Sequence, residues 1–303
     1  MLSKLISRVK EEKKQGAQKE DAKGKENSAV SNNLEELEKS YLNFRDFRIN
    51  DDLSRFKVSD IDTVYYIPNY ITPQDEEYLL GQVYSQPKER WSQLQYSNRR
   101  LQKWGGEVTK NGLENVEALP SWLEKISETL LTEKITLKKT NHVLLNEYQP
   151  GIGIMPHTDG PLYHPYVVIL SLGSQTVFEF FKDYAAYKEE NTLAKLLVEP
   201  RSLLIFSDDA YSKYLHAILE KEKDFVEMSY CVDKASEDIK IQSSNIDNLH
   251  LTNIFEGFKK QVLQKSEDDG SEREGESEIE SHLWQIKREK RVSLTIRYVP
   301  CNL

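Results

Sequence analysis

Large apolar side chains are scarce in residues 1–54, which are rich in Lys, Glu, Gln and Asn. This composition predicts a charged, disordered tail with a short helix near Leu34–Tyr41. Order begins at Thr63-Val64-Tyr65-Tyr66-Ile67, a β-branched and aromatic run that predicts a strand. In Thr72-Pro73-Gln74-Asp75, Thr72 caps a helix, Pro73 fits its first turn and Asp75 completes a capping box. Leu79, Leu80 and Val83 form its buried face, and Trp122, Leu123, Ile126 and Leu130 mark a second helix at spacing three to four. The period then changes to two. Strand-like runs fall at 141–148, 166–172, 175–181, 195–199, 201–206 and 291–299, punctuated by Gly151, Gly153, Gly173 and Pro200. Helices leading into strands, with no crossover helices between them, predict one α+β domain over 55–303, its helices buttressing a curled sheet. An insert at about 234–283 interrupts it. There, Leu249, Ile254, Phe258 and Val262 predict a helix over 248–265, and an acidic loop follows at 266–280.

Composition adds limits. The chain has 303 residues and 38% hydrophobic content, enough for a sizeable core. Residues 266–280 hold eight acids against one base, which is −7 of the net −9 and leaves −2 for the rest. The acidity is therefore local. It does not exclude a nucleic-acid partner, and the whole chain is not basic enough to advertise one. Cys231 and Cys301 make neither a disulfide framework nor a zinc signature, which fits a reducing intracellular compartment. No run of about 18 apolar residues predicts a membrane-spanning helix. Met1–Lys10 is basic and helical in period, but Glu11 and Glu12 follow at once, against organelle targeting. Nucleus and cytoplasm are the expected locations, and a monomer the expected state.

Candidate chemistry begins at His157-Thr158-Asp159. Residues two apart on a strand face one side, so His157 and Asp159 can aim at one cation. Pro156 before them and Gly160-Pro161 after them place that strand's end at a rim. His216 follows 57 residues beyond Asp159, after a strand at Ser202–Ser207 and a turn at Asp208-Asp209-Ala210. Two histidines and a carboxylate cap one face of a six-coordinate metal and leave open positions, the ligand set of non-heme Fe(II) oxygenases. A lone HxD arises often by chance. His142, His164, His250 and His282 are the other histidines, and His164 is the main rival ligand.

Arg291-Val292-Ser293-Leu294-Thr295-Ile296-Arg297 alternates strictly. One reading is an edge strand with its polar face in water. The other turns Arg291, Ser293, Thr295 and Arg297 inward as a ladder for a small dicarboxylate such as 2-oxoglutarate. Asn146 and Tyr148 share the two-residue spacing and can add hydrogen bonds to the same ligand.

Taken together, Asn146-Glu147-Tyr148-Gln149-Pro150-Gly151, His157-Thr158-Asp159, His216 and the Arg291…Arg297 strand resemble the AlkB family of Fe(II)/2-oxoglutarate dioxygenases. Arg99–Gly106, Leu172–Ser174 and Val198–Leu204 resemble its sixth-homologue branch in particular. The resemblance implies a double-stranded β-helix (jelly-roll) core with helices on one side. It implies Fe(II) held by His157, Asp159 and His216, 2-oxoglutarate as cosubstrate and O2 as oxidant. Arg291 would take the distal carboxylate, Arg297 would sit near the keto-acid end and Asp159, and Asn146, Tyr148, Ser293 and Thr295 would line the cosubstrate pocket. Oxidative demethylation of alkylated nucleic acid, single-stranded or damaged, is the implied reaction, with protein as another substrate class. Gly160-Pro161-Leu162-Tyr163 departs from the acidic residues that repair members place after the metal Asp, which puts their way of handling the base in doubt.

Lys88, Arg90, Arg99, Arg100, Lys103 and Lys110 interleave with Trp91, Tyr96 and Trp104. Basic groups with aromatics suit phosphate contact and base stacking, so Arg99, Arg100 and Trp104 are substrate candidates. A solvated face with anchored aromatics is the alternative. Two other functions stay open: a non-catalytic nucleic-acid-binding or regulatory module that retains the fold, and a cupin-like metal protein without 2-oxoglutarate. An intact triad argues against the first, and two inward arginines against the second.

Overall fold

The computed structural model describes residues 53–300 apart from 59, 95–96, 233–238, 244 and 269–279. The expected tail up to residue 52, its helix near Leu34–Tyr41, Tyr96 and most of the acidic segment lie outside the described residues.

The chain runs through β1 (Val64–Ile67), α1 (Pro73–Tyr84), β2 (Ser92–Gln93), β3 (Arg100–Trp104), β4 (Glu107–Thr109), β5 (Gly112–Glu114) and α2 (Ser121–Thr132). It continues through β6 (His142–Tyr148), β7 (Ile154–His157), β8 (Tyr166–Leu172), β9 (Thr176–Phe181), α3 (Tyr184–Lys188), β10 (Thr192–Val198), β11 (Leu203–Ser207), α4 (Asp208–Ser212) and β12 (Leu215–Ile218). Last come β13 (Lys223–Val232), β14 (Ile239–Ser243), α5 (Asn253–Asp268), β15 (Glu280–Lys287) and β16 (Arg291–Arg297). A major sheet has the order β1-β11-β8-β16-β6-β3-β2, and a minor sheet the order β10-β9-β12-β7. Their ladders are antiparallel, as the lack of crossover helices requires.

Alternation sorts the side chains of the major sheet into two cores. Val143, Leu145, Val168, Leu170, Leu203, Ile205, Val292, Leu294 and Ile296 face outward and pack against Leu79 and Val83 of α1 and Trp122, Leu123, Ile126 and Leu130 of α2. Thr72 caps α1 as the sequence predicts: its Oγ1 accepts from Asp75 N at 3.1 Å, while Asp75 Oδ2 accepts from Thr72 N at 2.9 Å. Such a cap contributes about 1 kcal/mol. The opposite parity, including Val167, Ile169, Leu204 and Phe206, meets Phe178, Phe180, Leu196 and Val198 of the minor sheet. Two facing antiparallel sheets with helices behind one of them are the expected jelly-roll architecture.

A third core covers the outer face of the minor sheet. Val177 and Leu197 of that sheet pack with Val226, Met228, Tyr230, Phe258 and Val262 of the insert. The insert is a three-stranded sheet, β14-β13-β15, with α5 against it. Its outer pair runs from Lys223↔Lys287 to Tyr230↔Glu280, so the sequence boundaries at 234 and 283 fall inside this pairing or just past it. The helix expected over 248–265 begins at Asn253 and reaches Asp268; Leu249 lies before it in a 3-10 turn (Leu249–Leu251). The turn expected at Asp208-Asp209-Ala210 is the short helix α4, which buries Ala210 and Tyr211.

Candidate metal and cosubstrate centre

His157 ends β7, and His216 lies directly across from it on β12. Their rings come within 4.3 Å, centroid to centroid. Asp159 follows two residues past His157, and the three side chains bring one ligand atom each within 4.8 Å of one another, the one such cluster found among the described residues. His157 Nδ1 is 2.8 Å from the Met155 carbonyl. As the donor there it leaves Nε2 free as a ligand, the usual outer support of a metal-binding imidazole. Phe178 stacks on His216 at 5.2 Å, and Phe180 and Phe206 enclose it. Burial, with the neighbouring His157, drives the His216 pKa down to about 3 and keeps the ring neutral; burial also lowers His157. Neutral imidazoles are what a cation needs.

The other histidines stay away from this group. His164 donates its backbone N–H to the Tyr298 carbonyl and sets its ring edge-on to Tyr298. His282 stacks on Tyr230 within the insert. His250 lines a separate cavity beside β10. His142 is buried next to Tyr163, across from Arg297.

All seven residues of β16 are buried, so the polar face of that strand does not meet water. Arg291, Ser293, Thr295 and Arg297 turn into a cavity of about 310 Å³ that also holds Asn146, Tyr148, His157, Asp159 and His216. The ladder register sets Arg291 beside Tyr148 and Ser293 beside Asn146. Arg297 donates from Nη2 to Asp159 Oδ1 at 2.7 Å, and its guanidinium stacks on the Tyr163 ring at 4.4 Å. Asp159 is thus fixed through one oxygen, while its buried Oδ2 has no hydrogen-bond partner. Arg291 donates to Ser171 Oγ at 2.8 Å, and its Nε and Nη1 have no partner. No carboxylate of the described residues pairs with it, and burial lowers its pKa to about 10. A buried guanidinium without a counter-ion is costly, and so is a buried carboxylate oxygen without a donor or a cation. A divalent cation at the triad and a dicarboxylate reaching Arg291 would satisfy the Asp159 and Arg291 orphans, so the residues present fit Fe(II) and 2-oxoglutarate.

The substrate candidates divide by strand parity. Arg99 and Leu101 face the cavity, and Arg99 Nη1 donates to Asn146 Oδ1 at 3.2 Å. Arg100 and Trp104 point the other way and do not line this cavity. Arg100 makes a two-pronged pair with buried Glu147 at 2.8 and 2.9 Å and covers Trp91. Trp104 lies edge-on to Trp122 of α2, with the Arg90 guanidinium over its ring at 4.1 Å. Arg90 lies over Trp104 and Arg100 over Trp91. Trp104→Ala should therefore cost about 3–5 kcal/mol of stability as a core deletion and leave the KM for 2-oxoglutarate unchanged, checked by urea unfolding and steady-state kinetics. The sequence reading passed over Ser171 and Tyr163. Ser171 is a polar residue at the inward parity of Val167 and Ile169, a signal that was legible. Tyr163 enters from a loop that no periodicity describes.

Buried His142 makes the fold acid-sensitive. Burial, with Arg297 and Lys103 nearby, lowers its pKa from 6.5 to about 4. Below 6.5 the unfolded chain binds a proton there that the folded chain refuses. The His142 contribution to stability then falls as pH drops from 6.5 to about 4 and levels off below that. His142→Gln should remove on the order of 2–3 kcal/mol of that loss, read as a smaller gap between thermal melts at neutral and acid pH.

Comparison with known proteins follows the same lines. The sequence model of the 2OG-Fe(II) oxygenase superfamily matches residues 63–297. The probable RNA/DNA demethylase ALKBH6 of Danio rerio is 46% identical over 176 residues, covering 55% of this chain and 74% of that protein. The protein L905 of Acanthamoeba polyphaga mimivirus is 31% identical over 164 residues, covering 52% of this chain and 73% of that one. Among solved structures, OsALKBH1 aligns at 12% identity with a TM-score of 0.44, over 78% of this chain and 97% of that chain.

Proposed function

The chain belongs to the 2OG-Fe(II) oxygenase superfamily, in its AlkB-like branch, and from that premise we propose that it demethylates alkylated nucleic acid. The observation that carries the reading is the buried Arg291 without a counter-ion, in one cavity with the His157–Asp159–His216 cluster. His157, Asp159 and His216 would hold the metal. Bound there, Fe(II) supplies the activation of O2 that couples decarboxylation of 2-oxoglutarate to succinate and CO2 with hydroxylation of a substrate C–H bond. On an N-methyl group the product is an N-hydroxymethyl compound, which breaks down to the free amine and formaldehyde.

The chain's own groups bind and orient. Arg291 takes the distal carboxylate of 2-oxoglutarate, with Tyr148 beside it and Ser171 fixing its guanidinium. Ser293, Thr295 and Asn146 line the path between that end and the triad. Arg297 holds Asp159 in place through Oδ1, which would leave its other oxygen for the metal. Phe178, Phe180 and Phe206 exclude water behind His216. Arg99 is the one of the three substrate candidates that reaches this cavity, where it donates to Ser97 and Asn146, and a guanidinium there suits a nucleic-acid phosphate. The RNA/DNA activity in the name of the Danio rerio relative supports the substrate class. Within that reading the protein acts as a monomer in nucleus and cytoplasm, on single-stranded or damaged strands, and residues 55–303 work as one domain.

The test is mass spectrometry of methylated RNA, DNA and histone pools after incubation with Fe(II), ascorbate and 2-oxoglutarate. Loss of methyl groups from nucleic acid with matching formaldehyde is expected. Loss confined to histones would move the substrate to protein, and no succinate from any pool would remove the assignment.

A further inference from the structure

The insert is joined to the barrel between two strands that matter. It leaves just after β12, which carries His216, and returns just before β16, which carries Arg291. Arg288 closes this neck. Its backbone N–H donates to the Glu222 carbonyl at 2.8 Å, and Nη1 donates to the Leu219 carbonyl at 2.7 Å, one residue past β12. Nε and Nη2 donate to the two oxygens of Asp224 at 2.7 and 2.6 Å. Both side chains are buried, at 5% and 2% exposure.

Arg288 therefore ties the end of the His216 strand to the start of the Arg291 strand. Neighbouring bonds hold the same turn: Gln175 Nε2 donates to the Lys287 carbonyl and Glu289 N donates to Ser174 Oγ, each at 2.8 Å. A void of about 10 Å³ lined by Arg288, Arg291, Tyr148 and Ile218 lies under the cosubstrate end of the cavity. On that side Arg291 meets the Tyr148 ring and this small void, and the neck fixes the backbone three residues before it. Two buried guanidiniums so near one another would repel, and Asp224 neutralises the one that takes no ligand.

We propose that Asp224 and Arg288 are positioning residues that set the span between the metal centre and Arg291, and with it the length of keto diacid the cavity selects. This rests on the reading that Arg291 grips the distal carboxylate. A diacid anchored at one end by a metal and at the other by a guanidinium is measured by the distance between them. The insert then works as part of the ruler, although it touches no substrate.

The experiment uses the full chain loaded with Mn(II), without turnover. Calorimetry gives the affinities for 2-oxoglutarate and for 2-oxoadipate, one methylene longer, and a separate titration gives that for Mn(II). The main variant combines Asp224→Leu with Arg288→Met, because removing one partner alone strands a buried ion. Arg288→Lys is the second variant; it keeps the charge and loses the fork that reaches both Asp224 and Leu219. A methylene in a fitted site is worth roughly tenfold, and the double variant should lose most of that preference while Mn(II) affinity holds. Arg288→Lys should fall between it and the unaltered protein. Equal weakening of both acids, or no change in either, would overturn the proposal and leave the pair as fold support. Unaltered protein that binds neither acid would overturn the functional reading beneath it, and this inference with it.

Discussion

Arg291→Met should raise the KM for 2-oxoglutarate by roughly a hundredfold or more, while making the ligand-free protein more stable. The two effects have one cause. Arg291 is buried beside the Tyr148 ring and held by Ser171 Oγ, with Nε and Nη1 lacking hydrogen-bond partners and no carboxylate of the described residues paired with it. Folding alone therefore leaves a desolvated cation uncompensated, and an apolar side chain of similar length relieves that cost by about 1–3 kcal/mol. A carboxylate arriving at the guanidinium recovers the cost as binding energy. Loss of a buried charge-assisted contact weakens binding by about 2–5 kcal/mol, and each 1.4 kcal/mol or so is tenfold. Steady-state kinetics and thermal melting of the metal-free protein check the two halves. A variant with unchanged KM, or one that melts lower without ligand, would contradict the role given to this residue.

Asp159→Ala should abolish Fe(II)-dependent succinate formation, and His157→Ala should do the same. Asp159 carries two duties at once: Oδ1 accepts from Arg297 at 2.7 Å, and Oδ2 points to where a cation would sit. Its removal deletes a ligand and strands Arg297, whose remaining support is the face of Tyr163. Breaking a buried ion pair from one side costs about 3–5 kcal/mol, so Asp159→Ala should also melt lower than His157→Ala. Coupled assays of succinate and CO2 with calorimetric titration of Fe(II) or Mn(II) give the readout. Succinate formation that survives either change would remove the metal assignment.

How far the sequence could be read follows from which patterns are local. The strict alternation of β16 showed its two faces, but the sequence alone left open whether the polar face met water or a cavity. Its place between β8 and β6 in the middle of the major sheet decides that, and this is a property of the ladder order rather than of the seven residues. Capping at Thr72 and the apolar faces of α1 and α2 were legible because each depends on residues three or four apart. Arg99, Arg100 and Trp104 could not be told apart without β3; once that strand is known, parity sends Arg99 and Leu101 to the cavity and turns Arg100 and Trp104 to the opposite face. The strands of the insert were missed for a related reason. Phe225 and Leu283 are exposed large apolar residues on β13 and β15, which blurs the contrast between the faces. Arg288 and Asp224, 64 residues apart, give no local signal at all.

β7 is a four-residue edge strand that pairs, among the described residues, with β12 alone, and their register slips between His216 and Ile218. One candidate imidazole ligand thus rides on a short edge strand of the minor sheet, and the other on the strand beside it. Coordination would rivet this frayed border shut, giving apo and loaded protein different local breathing. Iron loss would then loosen the rim itself and admit proteases there before the rest of the barrel gives way.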